Sequence, residues 1–452
     1  MTFTSLTFLF VFLPLAILLC ALFGKKPHNR MVVLSILSVI FYGYGDASAL
    51  PFLVLMVVFH YATVQEMCAF KKKKNAKGVN ITYGTAVVAD IVFLAIYKYT
   101  SVRMPIGISF FTFTALSYLT DIKREAAAEK HTFSEAFFYM TFFPKLVSGP
   151  IETYGDMKDQ IEKGRFKRTA LLSGGYLFFV GMLKKVLIAD RLGAVFVNVS
   201  ATDKMSSLTA MIGVVLYGLQ LYFDFSGYSD MAIGLAEVFG YKLKPNFNYP
   251  YTSVSVSDFW RRWHISLGNW FKNYIYIPLG GNRCSTPVHL RNLFIVWLIT
   301  GAWHGNTGNF VVWGLYNGLF VVLDKYVLNA VLEKAPRRIR ILLTDIVVFF
   351  GWIFFFSPNM TAAMRYIGRI FGSDGVGFAD RTALYYVTSN LFILVVAVLA
   401  SSTLFETLHE KVRERGGKIG CRISDAIQVF CLVLCVAEMV GATYTSFLYF
   451  AF

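Results

Sequence analysis

Leu293-Phe-Ile-Val-Trp-Leu-Ile-Thr-Gly-Ala-Trp-His-Gly305 opens a run that stays apolar to Leu323, interrupted only by glycines, small polar residues, three asparagines and one histidine. A membrane-crossing helix needs about 20 apolar residues, so the run is too long for one span and too short for two. A helix break within the membrane accommodates both that length and the glycines, Gly301 and Gly305, that bracket Trp303-His304. An ionisable side chain at such a break is a functional candidate by default. Imidazole titrates near neutrality, which suits a general base. The plain alternative is a buried histidine satisfied by a carbonyl.

Outward from this run the chain keeps the same character. Of 452 residues 56% are hydrophobic, 17% aromatic and only 15% charged, and the mean hydropathy is +0.55. Soluble domains carry about 25% charged residues. A chain this apolar needs a bilayer as part of its solvent, so the expected fold is an all-α, polytopic bundle of roughly ten to twelve spans. Spans are expected at Phe3–Phe23, Met31–Tyr44, Leu50–Phe70, Tyr83–Tyr99, Leu171–Ile188 and Leu208–Phe223. Later ones fall near Ile341–Phe356, Leu384–Leu404 and Ile427–Phe447. No repeat and no soluble domain is visible, and residues 1–452 read as one domain.

The basic loops at 25–30 and 71–77 fall on one side, which the positive-inside rule assigns to the cytoplasm. Basic residues follow the first apolar stretch rather than precede it, the wrong order for a cleaved signal. The expectation is a retained first span with its N-terminus outside. A net charge of +16 then reflects loop bias and contact with anionic membrane lipid rather than nucleic acid.

The middle is less regular. Pro105–Leu119 and Phe137–Ile151 are apolar but short and rich in breakers, as in re-entrant or broken helices. Residues 155–168 are polar and basic and read as a surface loop. Asp258–Phe271 reads as a single amphipathic helix: Phe259, Trp260, Trp263, Leu267, Trp270 and Phe271 share one arc, Arg261, Arg262 and Lys272 another. His264 stands at the edge of the aromatic arc, where an interfacial histidine is the plain alternative. Of the other histidines, His60 reads as a helix-packing residue, and His28, His131 and His409 as solvated. Asp224 lies in an apolar setting and needs a partner, for which Arg261, Arg262 or a histidine are candidates. The bland reading is an ion pair locking two helices. Glu438, alone in the last span, poses the same question. Gly280-Gly281-Asn282-Arg283 reads as a tight loop. The six cysteines show no CxxC pair, and no metal site is indicated. No GxSxG, Walker A or HExxH motif occurs.

Several stretches together resemble the membrane-bound O-acyltransferase superfamily, in particular its bacterial alginate O-acetyltransferase-like branch. They are Pro105–Phe113, Phe142–Ile151, Asp224–Gly234, Asn246–Tyr251, Asp258–His264 running on to Tyr276–Arg283, Trp297–Gly305, Trp313–Gly318 and the closing Phe447–Phe452. The dense part of the likeness covers about residues 100–320. The resemblance implies a ring of tilted helices around a central catalytic channel. It implies that the histidine of Trp-His-Gly, His304, is catalytic and that the histidine of Arg-Trp-His, His264, is the second one involved. Asp224, Arg261, Arg262, Trp263 and Trp303 are candidates for lining the donor channel. The donor it implies is cytoplasmic acetyl-CoA, and the acceptor an extracytoplasmic polysaccharide reached through an SGNH-type partner protein. Departures from the branch, such as Gly268-Asn269-Trp270 and Asn306-Thr307-Gly308, bear on acceptor and partner rather than on chemistry. The rival readings are a teichoic-acid D-alanyl transfer protein fed by a carrier-protein thioester, and a non-catalytic transporter or scaffold.

Overall fold

The structure, a computed structural model, describes residues 1–125, 131–163 and 168–441. Every regular element among them is helical. Seven helical stretches are long and apolar enough to cross a bilayer: Pro27–Lys72, Ala76–Tyr99, Thr169–Ser200, Ser207–Val238, Gly308–Leu332, Arg337–Phe356 and Leu404–Gly441. The first is 46 residues long, about twice a span. It consists of the helices Pro27–Asp46 and Leu50–Lys72 with one 3-10 turn, Ala47–Ala49, between them. The pair Arg381–Ser389 and Leu391–Ala400 is bent by 65° and counts as a further broken span, and Phe8–Phe23 is a shorter apolar helix. By length and composition the described residues give seven spans, or eight with the bent pair; ten, the lower end of the expected range, is reached only with Pro27–Lys72 as two spans and Phe8–Phe23 as another. The expected span at Ile427–Phe447 runs beyond the described residues, and the closing Phe447–Phe452 lies outside them.

The helices begin and end where local chemistry dictates. Pro27, Pro51 and Pro287 occupy first-turn positions, where the missing N–H costs nothing. Lys71 and Lys72 sit in the last turn of their helix, against its negative dipole end. Outer faces leave large apolar side chains uncovered by protein: Leu15, Leu18 and Leu22 on one helix, Ile91 and Val92 on another, Phe392, Val395 and Val398 on a third. Rows of this kind have lipid tails as their solvent. The protein is a multi-pass membrane protein.

Contacts group the chain into two compact units. One holds Met1–Gly181 with Tyr228–Pro245; the other holds Met182–Gly227 with the described residues from Asn246 onward. In the first unit Phe3, Phe8, Phe12, Phe41, Phe143 and Tyr228 form a buried aromatic cluster. His60 ties two spans together: its Nδ1 is 2.6 Å from the Met56 carbonyl and its Nε2 3.0 Å from both oxygens of Asp90, a packing role as expected. Pro105–Leu119 contributes to the helix Ile108–Arg124, entered through Gly107 at φ 76°. Phe137–Ile151 is broken as expected, into Phe133–Thr141 and the single turn Phe143–Leu146.

Two expectations in this unit are corrected. Residues 154–163 are not loop but a helix, Tyr154–Lys163, which buries Tyr154, Met157 and Ile161. His131 is not solvated but 4% exposed, with Nδ1 3.1 Å from the Tyr154 hydroxyl and Nε2 3.3 Å from Glu125.

Candidate active site

The site lies in the second unit, at two helix breaks. The helix Thr286–His304 stops on its histidine, and Gly305 continues in extended backbone before the next helix, Gly308–Leu323, begins. The break expected from the long apolar run is therefore present. Its glycines act through packing. A Cβ on Gly301 would come 2.5 Å from the Phe310 carbonyl, and one on Gly314 would come 2.9 Å from the Gly301 Cα. Helix Thr286–His304 and its successor thus touch backbone to backbone, the close approach small residues permit in membranes. His304 is held by this contact at the end of its helix, 3% exposed. Rings of Trp303, Trp313 and Phe355 surround it at 4.5, 4.8 and 5.2 Å between centroids.

The second break corrects a sequence reading. Asp258–Phe271 is not one amphipathic helix. Val256–Arg262 and Ile265–Phe271 are separate helices, joined by Trp263 in extended backbone and His264 at φ 47°, ψ 53°. The left-handed region is sparsely used by residues with a Cβ and costs about 1 kcal/mol or more, so the surroundings must enforce it. Asn246 does so. Its backbone carbonyl accepts the Ile265 N–H at 2.9 Å. Its Oδ1 accepts the Ser266 N–H at 3.1 Å and the Ser266 hydroxyl at 2.9 Å, and stands 3.1 Å from His264 Nδ1. The Phe225 ring meets the imidazole edge-on at 4.7 Å. His264 is 3% exposed, and burial pulls its pKa down to about 3, which keeps the ring neutral.

His264 and His304 line one cavity of about 260 Å³. Its other walls are Trp260, Trp263, Trp297, Leu267, Phe271, Leu293, Val296 and Thr300, with Lys272 and Tyr276 as the remaining polar side chains. That volume is at the small end for ligand sites, and the lining is mostly apolar. The tryptophans support one another: Trp260 packs on Trp297 at 5.1 Å and on Trp313 at 5.6 Å, and Trp263 on Trp352 at 5.0 Å. The Trp260 indole N–H donates to Asn317 Oδ1 at 3.2 Å. The walls are aromatic plates, and the two imidazoles stand among them.

Of the residues expected in the channel, Trp263 lines the cavity with both histidines. Trp303 does not line it but packs on His304. Arg261 and Arg262 are not on the wall either. Both pair with Asp258, at 3.4 and 3.1 Å. Burial works against that carboxylate's charge, but the Arg262 guanidinium and the Val254 N–H outweigh it and hold the pKa below the usual value. Asp224 is likewise absent from the wall, and it pairs with a lysine rather than with the expected Arg261 or Arg262, which pair with Asp258. Lys185 Nζ lies 2.7 Å from Asp224 and 2.5 Å from Asp190, with Asp224 fully buried and Lys185 4% exposed. This is the helix-locking ion pair, one residue from the Phe225 ring that abuts His264. Glu438 pairs with Arg191. Asn246, Lys185 and Trp297 were not singled out from sequence. Asn246 and Trp297 appear there only inside longer motifs, and nothing marks Lys185.

The chain matches the membrane-bound O-acyltransferase family over residues 39–364, a span that contains the cavity and both histidines. It is 32% identical over 442 residues to a probable alginate O-acetylase of Pseudomonas aeruginosa, covering 92% of this chain and 84% of that protein. A peptidoglycan O-acetyltransferase of Helicobacter pylori is 32% identical over 431 residues, covering 83% and 80%. A teichoic acid D-alanyltransferase of Bacillus subtilis is 28% identical over 324 residues, covering 66% and 81%. With a matched region of this extent around two histidines on one cavity, the chain belongs to the membrane-bound O-acyltransferase family and is an acyltransferase.

Proposed function

We propose that the protein takes an acetyl group from acetyl-CoA on the cytoplasmic side of a bacterial membrane and passes it to an extracytoplasmic polysaccharide. The observation that carries this reading is the sharing of one small cavity by His264 and His304 in a chain whose relatives include proteins named as O-acetylases. A hydroxyl is a poor nucleophile until its proton is taken. His304 takes the proton as the hydroxyl oxygen forms its bond to the thioester carbonyl carbon. The C–S bond breaks, and the leaving thiolate recovers the proton from the imidazolium. His264 stands beside the reacting atoms as orienting or relaying group. The small apolar cavity suits an acetyl thioester end, and Lys272 puts a cation beside it for phosphate or carboxylate. An SGNH-type partner outside the membrane completes delivery to the polymer. The N-terminus is extracytoplasmic, with the basic loops at 25–30 and 71–77 inside.

The test is transfer of radiolabelled acetyl from acetyl-CoA in sealed vesicles from producing cells. Inside-out vesicles, which expose the cytoplasmic face, are expected to incorporate label, and right-side-out vesicles are not. Label accepted only from a carrier-protein thioester would move the donor to the D-alanyl type of chemistry. Incorporation by right-side-out vesicles alone would reverse the orientation.

A further inference from the structure

His264 lines the cavity, and its Nδ1 is turned to Asn246, which is not part of the cavity wall. Asn246 Oδ1 is identified as the carbonyl oxygen, because it already accepts the Ser266 N–H. A carbonyl oxygen cannot donate. The contact at 3.1 Å therefore requires the hydrogen to be on His264 Nδ1. In a neutral ring the lone pair then sits on Nε2, the nitrogen on the other side. We infer that Asn246 is a positioning residue that fixes His264 as the Nδ1–H tautomer and makes Nε2 a proton acceptor for the acyl-transfer cavity.

The same residue holds the backbone on which this depends, through its main-chain carbonyl and its carboxamide oxygen. Asn246 bonds the N–H groups of Ile265 and Ser266, the two residues that follow the left-handed His264. Orientation, tautomer and strained backbone thus meet at one residue, 18 residues away in sequence. Charged and titratable groups near the ring include His304, Lys272 and Tyr276 on the cavity wall, and the Lys185–Asp190–Asp224 cluster behind Phe225. The consequence for the reaction is that His264 is equipped to hold or pass on the proton that leaves the acceptor hydroxyl, rather than only to fill space. This rests on the acyl-transfer reading, but the tautomer is measurable without it.

The experiment uses the full chain in lipid nanodiscs with ¹⁵N-labelled histidine, the His264 signals being assigned by their loss in His264→Gln. The wild type is expected to show a protonated Nδ1 and an unprotonated Nε2. An Nε2–H tautomer, or a mixture of the two, overturns the proposal. The second arm is Asn246→Asp, which keeps an accepting oxygen in place and adds a negative charge. A carboxylate beside imidazole favours its charged form and raises its pKa by about one to three units. The His264 pKa read from the ¹⁵N shifts should therefore move upward by about that amount. A His264 pKa unchanged in Asn246→Asp would mean that Asn246 serves only the fold, and the proposal falls. If the wild type does not use acetyl-CoA, the donor reading fails on its own, and the spectrum still decides the tautomer.

Discussion

Lys185, itself 4% exposed, stands between one fully buried and one partly exposed carboxylate, and this position decides what its loss would do. A buried ion pair contributes little against a well-packed apolar substitute, because desolvation consumes most of the attraction. Removing one partner is different, since it leaves an uncompensated charge and typically costs about 3–5 kcal/mol. Lys185→Ala leaves Asp190 and Asp224 facing each other and should lower the melting temperature of the purified protein sharply. Arg413→Ala breaks an exposed pair, Arg413 with Asp425 at 3.1 Å, and pairs of that kind are worth about 0–1 kcal/mol. Thermal unfolding of both variants in the same detergent is the comparison. Equal, small shifts would show that the Lys185 cluster is solvated and not the lock described above. Cavity chemistry is not predicted to depend on Asp224 directly, because its contact with the site runs through Phe225 and packing.

At the scale of elements, the site depends on how closely two helices approach. Gly301→Leu would put a branched side chain where the Phe310 carbonyl already lies, and overpacking a fitted contact costs about 1–3 kcal/mol. Because His304 follows Gly301 by one turn, the variant is expected to lose transfer activity as well as stability. Gly308→Ala meets open space at the start of the next helix and should be neutral on both counts. An active, normally melting Gly301→Leu protein would contradict the packing described. The break at His304 is legible in the sequence because it follows from length arithmetic: an apolar run of the wrong length must be interrupted. The break at His264 is not legible, because Asp258–Phe271 keeps one helical phase of aromatics across it. What interrupts the helix is Asn246, a tertiary partner invisible to periodicity. The Asp224 partner is not legible for a similar reason. Arg261 and Arg262 are close in the motif order, but Asp258 on their own helix satisfies them first. The polarity of residues 155–168 reads as loop, although Tyr154, Met157 and Ile161 carry the spacing of a buried helical stripe.

The whole molecule carries apolar outer faces suited to lipid and an aromatic-walled cavity in the second unit. The +16 charge and the exposed apolar rows belong to the first feature, and the two histidines belong to the second. Family membership places the chain among acyltransferases, and the assignment of chemistry to this cavity is the claim on which the rest depends. It is tested most directly by acetyl transfer with purified His304→Ala, compared with wild type at matched thermal stability. One imidazole at a cavity wall contributes little packing, so the variant is expected to fold. Loss of a general base typically lowers the rate about 10²–10⁴-fold, and a fall within that range is the predicted result. A variant that retained more than about a tenth of the wild-type rate, far milder than removal of a general base should be, would contradict the account.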